Sequence, residues 1–435
     1  MFNLEDRIRN RIVRTVKNKG FDAVIGRVKW RGIVGIELHD VMLTRQSDTG
    51  QYIHIGRMAA RLSLWRSLIH FAAEGEMTLC QIETALEEIS EKPFSLESLI
   101  CTFRIRKKFQ IARLDIGNIL IAFQLVQDKK FFDFSLEIID AGWNDIIDIL
   151  RKNLTGRFIA ESLSDSKLSL AARFRKSKEN PEQHYFNAKI NPGEFFRHPR
   201  NIFPENSDIH PEYLKNVLMA KYAPATYIPF DQIPKDIVNA FVCFEDPKYW
   251  EHPGICVYSL GCAINHNINH KKIVRGASTI TMQMTRNLFL NHNRDFIRKI
   301  EEGIIALLLE NYYKIDKKTI FELYANLIEF APDVYGMAAA SRFYFGKEAD
   351  DLSLTEILVL TYITPRPKHF YEALLEKTEQ LRQNLHRHIR IYASYMLREG
   401  MISRNQYDGV NYNTIQFSDR FGSLDLVPER KKYLQ

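Results

Sequence analysis

The sequence has no long apolar run. Its longest stretches, at 304–309 and 357–360, are a third or less of the ~20 residues that a membrane-spanning helix needs, so no spanning helix is expected. Cysteine is scarce as well. Cys80, Cys101, Cys243, Cys256 and Cys262 are too few and too scattered over 435 residues for a disulfide framework, and they leave the compartment undefined. Nor does one sign of charge dominate: 60 Lys and Arg against 53 Asp and Glu give +7, a mild excess that suits anionic lipid, a pyrophosphate or nucleic acid and selects none of them. Biased composition is also absent. With 45% apolar and 26% charged residues the chain is neither mostly disordered nor collagen-like. At roughly 150 residues per domain, its length allows two or three folded units.

What is present is unevenly distributed. Nine basic residues fall between Arg7 and Arg31, while Leu4, Ile8, Ile12 and Val16 recur every four residues, so residues 1–20 read as a basic amphipathic helix. Two readings stand for it: a helix lying on an anionic membrane, or one packed on its own domain with a solvated basic face. From 21 to 190 alternation dominates, as in Val34, Ile36 and Leu38, or Phe132, Phe134, Leu136 and Ile138, or Leu168, Leu170, Ala172 and Phe174. Period two predicts half-buried strands in a long antiparallel sheet, interrupted by a short helix near 143–154. Eight of the fifteen prolines lie between Pro181 and Pro234, where neither period persists, and a linker is expected at 191–221. Beyond it the period turns helical. Phe296, Ile300, Ile304 and Leu307 mark one stripe, Ile320, Leu323, Tyr324 and Leu327 another, and 381–398 reads as a last long helix.

The segment Phe244-Glu245-Asp246-Pro247-Lys248-Tyr249-Trp250-Glu251-His252-Pro253-Gly254 gathers carboxylates, an aromatic pair and a histidine. Downstream, Gly276-Ala277-Ser278-Thr279-Ile280-Thr281-Met282-Gln283-Met284-Thr285-Arg286 is rich in hydroxyls and ends in a cation, which suits a polar or phosphorylated ligand. Arg294, Arg298 and Glu302 then follow at four-residue spacing, on one face of a helix. That face is either an exposed salt-bridge ladder or an anion site with a carboxylate at its end. His252, Cys256, Cys262 and His266 form an H-x3-C-x5-C-x3-H array, whose spacings match no familiar zinc finger, and no metal ligand is assigned.

These blocks, in this order, resemble the peptidoglycan glycosyltransferases of glycosyltransferase family 51 over 222–407. The likeness rests on E-D-x-x-aromatic-x-x-H-x-G at 245–254, G-x-S-T-I-T-x-Q at 276–283 and R-K-x-x-E at 298–302. It continues with E-L-Y-x-N, Y-G and A-A-A within 322–340, and with Tyr344-Phe345-Gly346-Lys347. The resemblance implies an α-helical, lysozyme-like domain, taken as 222–410 with a tail at 411–435. It implies polymerisation of lipid II into β-1,4-linked glycan strands with release of undecaprenyl pyrophosphate. By position, Glu245 corresponds to the family's catalytic base and Glu302 to its second catalytic glutamate. Asp246, His252, Ser278, Thr279, Gln283, Arg286, Arg294, Arg298 and Lys299 correspond to, or flank, its substrate contacts. The chain departs from the family at Ala277, Met282, Cys256 and Ala331-Pro332-Asp333, and has Arg286 where Lys is usual.

The chemistry of the residues agrees. Joining sugars from a lipid-linked donor needs one carboxylate to accept a hydroxyl proton and cations to stabilise a departing pyrophosphate. A divalent cation, Mg2+ or Mn2+, would serve beside them, and no organic cofactor is called for. The implied partners are lipid II, the nascent strand, the membrane surface and other cell-wall synthesis proteins, not nucleic acid. The implied location is the periplasmic face of the bacterial inner membrane. Ser164-Asp165-Ser166-Lys167 reads S-x-x-K but has no K-T-G or S-x-N companion, so no transpeptidase is expected. The first half resembles the AsmA-like envelope proteins, through Gly35-Ile36-Glu37-Leu38-His39-Asp40-Val41, Ile53-His54-Ile55-Gly56 and Ile111-Ala112-Arg113-Leu114-Asp115-Ile116. The whole is therefore an expected α+β multidomain chain, a sheet followed by helices. Two other functions fit parts of the pattern: a catalytically weak lipid- or glycan-binding scaffold, and a lysozyme-like glycan hydrolase.

Overall fold

A computed structural model of the chain describes residues 4–31, 34–64, 66–67, 72–86, 93–106, 108–151, 167–180, 182–191, 209–222, 227–270, 276–290 and 296–427. The chain forms two compact units. The first comprises Met1–Ser207, Val257–Ala277 and Asn293–Glu301, and the second Asp208–Cys256, Ser278–His292 and Glu302–Gln435.

The first unit opens with helix α1 (Leu4–Lys17) and continues into ten strands: β1 (Phe21–Arg31), β2 (Gly35–Arg45), β3 (Asp48–Leu62), β4 (Ala73–Thr84), β5 (Phe94–Arg106), β6 (Phe109–Ile116), β7 (Ile119–Gln127), β8 (Phe131–Gly142), β9 (Lys167–Ser177) and β10 (His184–Asn191). Each strand pairs antiparallel with the next, so the sheet order is the chain order. A short helix, α2 (Trp143–Arg151), follows β8 where one was expected. Of the S-x-x-K segment only Lys167, the first residue of β9, lies within the described residues.

A crease crosses the first five strands. Ile25 faces Val41 and Arg27 faces His39, but Gly26 and Asp40 between them drop out of the ladder, as do Gly56 and Gln81 between β3 and β4. Asp40 and Gln81 take the left-handed backbone, φ 51° and 53°. Glycine suits their partners: a Cβ on Gly26 would crowd the Asp40 Cβ at 3.1 Å, and one on Gly56 would crowd the Gln81 Cβ at 3.0 Å. Around this crease Ile25, Val28, Leu38, Val41 and Ile55 form a buried cluster, against which Ile8, Ile12 and Val13 of α1 pack. The apolar stripe of the N-terminal helix is thus used within its own unit, the second of the two readings. Complete burial of such a side chain stabilises by roughly 1.5–3 kcal/mol, and each of these three gains part of that.

The end of the stretch expected to be a linker, 191–221, is instead helical: α3 (Pro211–Tyr222) starts within it and runs one residue past it. Proline fits its first turn because the N–H it lacks would have had no helical partner. Residues 192–208 of the expected linker lie outside the described residues. Then come α4 (Lys235–Glu245), α5 (Val257–His270), α6 (Ile280–Phe289), α7 (Phe296–Asn311), α8 (Lys317–Leu327), the short pair β11 (Glu329–Ala331) and β12 (Val334–Tyr335), α9 (Met337–Phe345), α10 (Leu354–Ile363), α11 (Pro367–Glu376), α12 (Glu379–Arg398), α13 (Arg404–Asp408) and the hairpin β13 (Thr414–Gln416) with β14 (Ser423–Asp425).

Helix α5 belongs to the first unit although α4 and α6 on either side of it do not. Gly261 lies so close to Phe186 of β10 that a Cβ there would come within 2.5 Å of it. In the second unit α8 and α10 are central. Ile320, Phe321, Leu323 and Tyr324, and Leu358, Val359 and Leu360, are all completely buried; α10 is apolar nearly all round, as a helix enclosed by others must be. The expected tail is folded: Phe417 and Phe421 stack on Phe345 and Tyr344 of α9.

His388 of α12 is buried, and its Nε2 lies 2.9 Å from the Thr361 Oγ1 of α10. Burial drives its pKa down to about 3, so the folded imidazole stays neutral. Below about pH 6.5 the unfolded chain binds a proton that the fold refuses, which removes about 1.4 kcal/mol of stability per pH unit down to the folded value. The pH slope of urea-unfolding free energy between pH 6 and 4 should therefore be shallower by one proton in His388→Gln. Equal slopes would mean that the folded imidazole protonates.

Candidate active site

The site grows from the end of α4. Ile237, Val238, Phe241 and Val242 bury the helix, and its last residue, Glu245, is left half-buried at the edge of that core. One carboxylate oxygen, Oε2, accepts from Gln283 Nε2 at 2.7 Å, and the other, Oε1, lies 2.5 Å from Thr364 Oγ1. Burial raises the Glu245 pKa. Thr364, Gln283 and the positive charge of Arg286 pull it back and Asp246 pushes it up, with a net result above the ordinary carboxylate range. A carboxylate whose proton affinity is raised in this way is a stronger base than a solvated one.

Asp246 is almost completely buried and does different work. Both its oxygens accept from His252 Nε2, at 2.9 and 3.0 Å, and Oδ2 also accepts from the Ile280 N–H at 3.2 Å, at the start of α6. A carboxylate at a helix N-terminus complements the dipole. Because Asp246 accepts from it, His252 Nε2 carries the proton, and among the described residues its buried Nδ1 has no hydrogen-bond partner. The next turn is locked through Thr279, which caps α6: its Oγ1 accepts from the Met282 N–H and donates to the Gly254 carbonyl at 2.6 Å. Gly254, at φ +90°, lies where a Cβ would meet the Ala306 carbonyl of α7 at 2.7 Å. The H-x-G spacing of the first block thus closes one tight loop between α4, α6 and α7.

Asp246, His252 and Cys256 offer ligand atoms within 4.8 Å of one another, the only such trio among the described residues. Its thiol and imidazole suit neither Mg2+ nor Mn2+. Its carboxylate is already occupied by His252 and Ile280, so these residues hold the loop and do not form a site for the expected cation. Cys262 and His266, the other half of the H-x3-C-x5-C-x3-H array, lie on α5 and are not part of the trio.

The remaining expected site residues are placed as follows. Gln283 is buried and Arg286 half-buried on α6, and Ser278 is half-buried just before it. Glu302 is completely buried on α7. Arg298 and Lys299 are half-buried on the same helix, in the part that groups with the first unit. Arg294 lies outside the described residues. The apolar stripe expected on α7 is displaced: Ile305, Ala306, Leu308 and Leu309 are buried, while Ile304 and Leu307 are half-exposed. The face carrying Glu302 is the inner one.

Other motif residues are structural. Glu322 accepts from Tyr227 at 2.5 Å, from Lys215 at 2.8 Å and from the Phe230 N–H at 2.8 Å. Burial alone would raise its pKa, but these three donors bring it below the ordinary value. Asn326 exchanges hydrogen bonds with both the N–H and the carbonyl of Ile228, so the E-L-Y-x-N block pins the segment that leads into α4. Lys347 pairs with Glu356, whose carboxylate also closes the capping box of α10 with Ser353.

Residues 212–391 match the family model described as Transglycosylase. A biosynthetic peptidoglycan transglycosylase of Janthinobacterium sp. (strain Marseille) is 35% identical over 184 residues, which cover 42% of this chain and 74% of that protein. One from Paraburkholderia xenovorans is 39% identical over 147 residues, 34% of this chain and 60% of that protein. Penicillin-binding protein 1A of Aquifex aeolicus is 37% identical over 209 residues, 46% of this chain, but the match spans only 27% of that longer protein.

Proposed function

The chain belongs to the transglycosylase family, and on that premise we propose that it is a peptidoglycan glycosyltransferase without transpeptidase activity. It polymerises lipid II into β-1,4-linked strands and releases undecaprenyl pyrophosphate. The observation that carries this reading is the environment of Glu245: a carboxylate of raised proton affinity, held by Gln283 and Thr364, with the cationic Arg286 acting on it from α6.

In the reaction Glu245 takes the proton of an acceptor sugar hydroxyl. The freed oxygen bonds to the anomeric carbon of the donor as the bond from that carbon to the pyrophosphate breaks, and the leaving group departs with the electron pair. This follows the logic of an inverting glycosidase with a sugar hydroxyl in place of water. Arg286, Arg294, Arg298 and Lys299 compensate the charge on the pyrophosphate, Ser278 lines its approach, and Glu302 orients the cations, while Thr279, expected as a substrate contact, is buried and holds the start of α6 instead. Asp246 and His252 keep Glu245 and the start of α6 in place. Mg2+ or Mn2+ would arrive with the pyrophosphate, held by few protein ligands, and no step is assigned to it.

The enzyme works at the periplasmic face of the inner membrane, where its lipid-linked substrate resides, among other cell-wall synthesis proteins. The first unit is an AsmA-like element, a reading supported by its single antiparallel meander.

Incubation with lipid II followed by sizing of the product tests the whole. Long strands are expected; no product would indicate a scaffold, and fragments released from preformed glycan a hydrolase. Arg298→Ala should lower kcat/KM about tenfold, the loss of one charge-assisted contact, and Arg294→Ala likewise, with the double variant less than additive because the two share a ligand. Unchanged kinetics in both would reduce this face to a surface ladder.

A further inference from the structure

Thr364, which no sequence motif singled out, follows the last residue of α10 and caps that helix. Its Oγ1 is 2.5 Å from Glu245 Oε1 and also 3.0 Å from the main-chain carbonyl of Thr361. A hydroxyl has one proton, so it cannot donate to both. Thr361 is itself fixed, since its own hydroxyl donates to the Leu358 carbonyl at 2.8 Å and lies 2.9 Å from His388 Nε2.

Two arrangements are therefore complete. With Glu245 ionised, Thr364 donates to the carboxylate. With Glu245 protonated, the carboxyl O–H donates to Thr364 Oγ1 and the Thr364 hydroxyl turns to the Thr361 carbonyl, one of the carbonyls left over at the end of α10. We infer that Thr364 is a positioning residue that switches its hydroxyl between these two acceptors, satisfying Glu245 before and after it takes the acceptor's proton and setting its proton affinity. No buried carboxyl is left without a partner on either side of the transfer, which avoids the penalty of an unsatisfied group.

Among the described residues the groups facing Glu245 are Asp246, next in the chain; Gln283 and Arg286 from α6; Tyr324 from α8, whose buried hydroxyl has no hydrogen-bond partner among them; and Thr364. Among them Thr364 can serve both states because its hydroxyl both donates and accepts and lies within hydrogen-bond distance of the carboxylate and of a second acceptor, the Thr361 carbonyl. A hydrogen bond to the ionised carboxylate is stronger than one from the neutral acid. Removing the hydroxyl therefore weakens the ionised state more, and the Glu245 pKa should rise.

The inference rests on Glu245 being the base, and two readouts separate the claims. Infrared difference spectroscopy against pH reports the Glu245 carboxyl directly, its band assigned by loss in Glu245→Gln, and the pH profile of kcat/KM on lipid II reports the base. In Thr364→Val both midpoints should move up together by about one pH unit, while the high-pH rate plateau stays within a few-fold of the original. Thr364→Ser should restore the original midpoints, and Thr364→Ala stands in if the valine variant does not fold. An unchanged infrared midpoint in the hydroxyl-less variant would overturn the inference. A shifted infrared midpoint with an unshifted rate profile would uphold Thr364 as the switch and remove Glu245 from the role of base.

Discussion

Glu245→Gln is expected to lose at least ~10²-fold in polymerisation rate while remaining folded, because an amide keeps the size of the side chain and cannot accept a proton. The amide can still accept from Thr364 and lie against Gln283, so the local packing has no reason to collapse. Stability gives an independent check. The fold raises the Glu245 pKa, and a raised carboxyl contributes stability that is present below its unfolded value and lost as the pH rises through its folded value. At neutral pH the ionised group is thus a net burden, and the neutral amide should leave the melting temperature unchanged or higher, as at other sites where function opposes stability. Near wild-type turnover in this variant would exclude Glu245 as the base. A large fall in melting temperature at pH 7 would show instead that the carboxylate is structural.

Arg286→Ala should show the second largest effect, a loss of about 10²-fold in kcat. Two consequences combine. The variant removes a cation proposed to meet the leaving pyrophosphate, and it removes a charge that holds the Glu245 pKa down, so the acid limb of the rate profile should move to higher pH. Arg286→Lys keeps the charge and should retain most of the activity, losing only what the planar guanidinium adds. If the lysine variant is as slow as the alanine variant, geometry and not charge is what this position supplies.

The periods and the ordered blocks carried much of this protein. Alternation from 21 to 190 announced an antiparallel sheet because strand side chains change face at every residue, and the sheet observed is a ten-stranded meander. The E-D-x-x-Y-x-x-H-x-G block marked Glu245 as a candidate base, and the structure places Asp246, His252 and Gly254 of that block in one loop: a helix-end carboxylate, its histidine and a close backbone approach. Their mutual spacing is short enough for sequence to encode.

Other features depended on contacts far apart in the chain. Thr364 lies 119 residues from Glu245 and carries no motif of its own; only the packing of α10 beside α4 brings its hydroxyl to the carboxylate. Helix α5 shares the helical period of its neighbours, yet it belongs to the sheet unit, because Gly261 admits Phe186 and no periodicity reports a partner. The amphipathic pattern of α1 fits a membrane and a protein core equally well, since a stripe of isoleucines specifies an apolar surface and not which one. The creased cluster around Ile25 and Val41 supplied that surface. Composition and period determine which faces must be buried, whereas the identity of what buries them is settled by long-range packing.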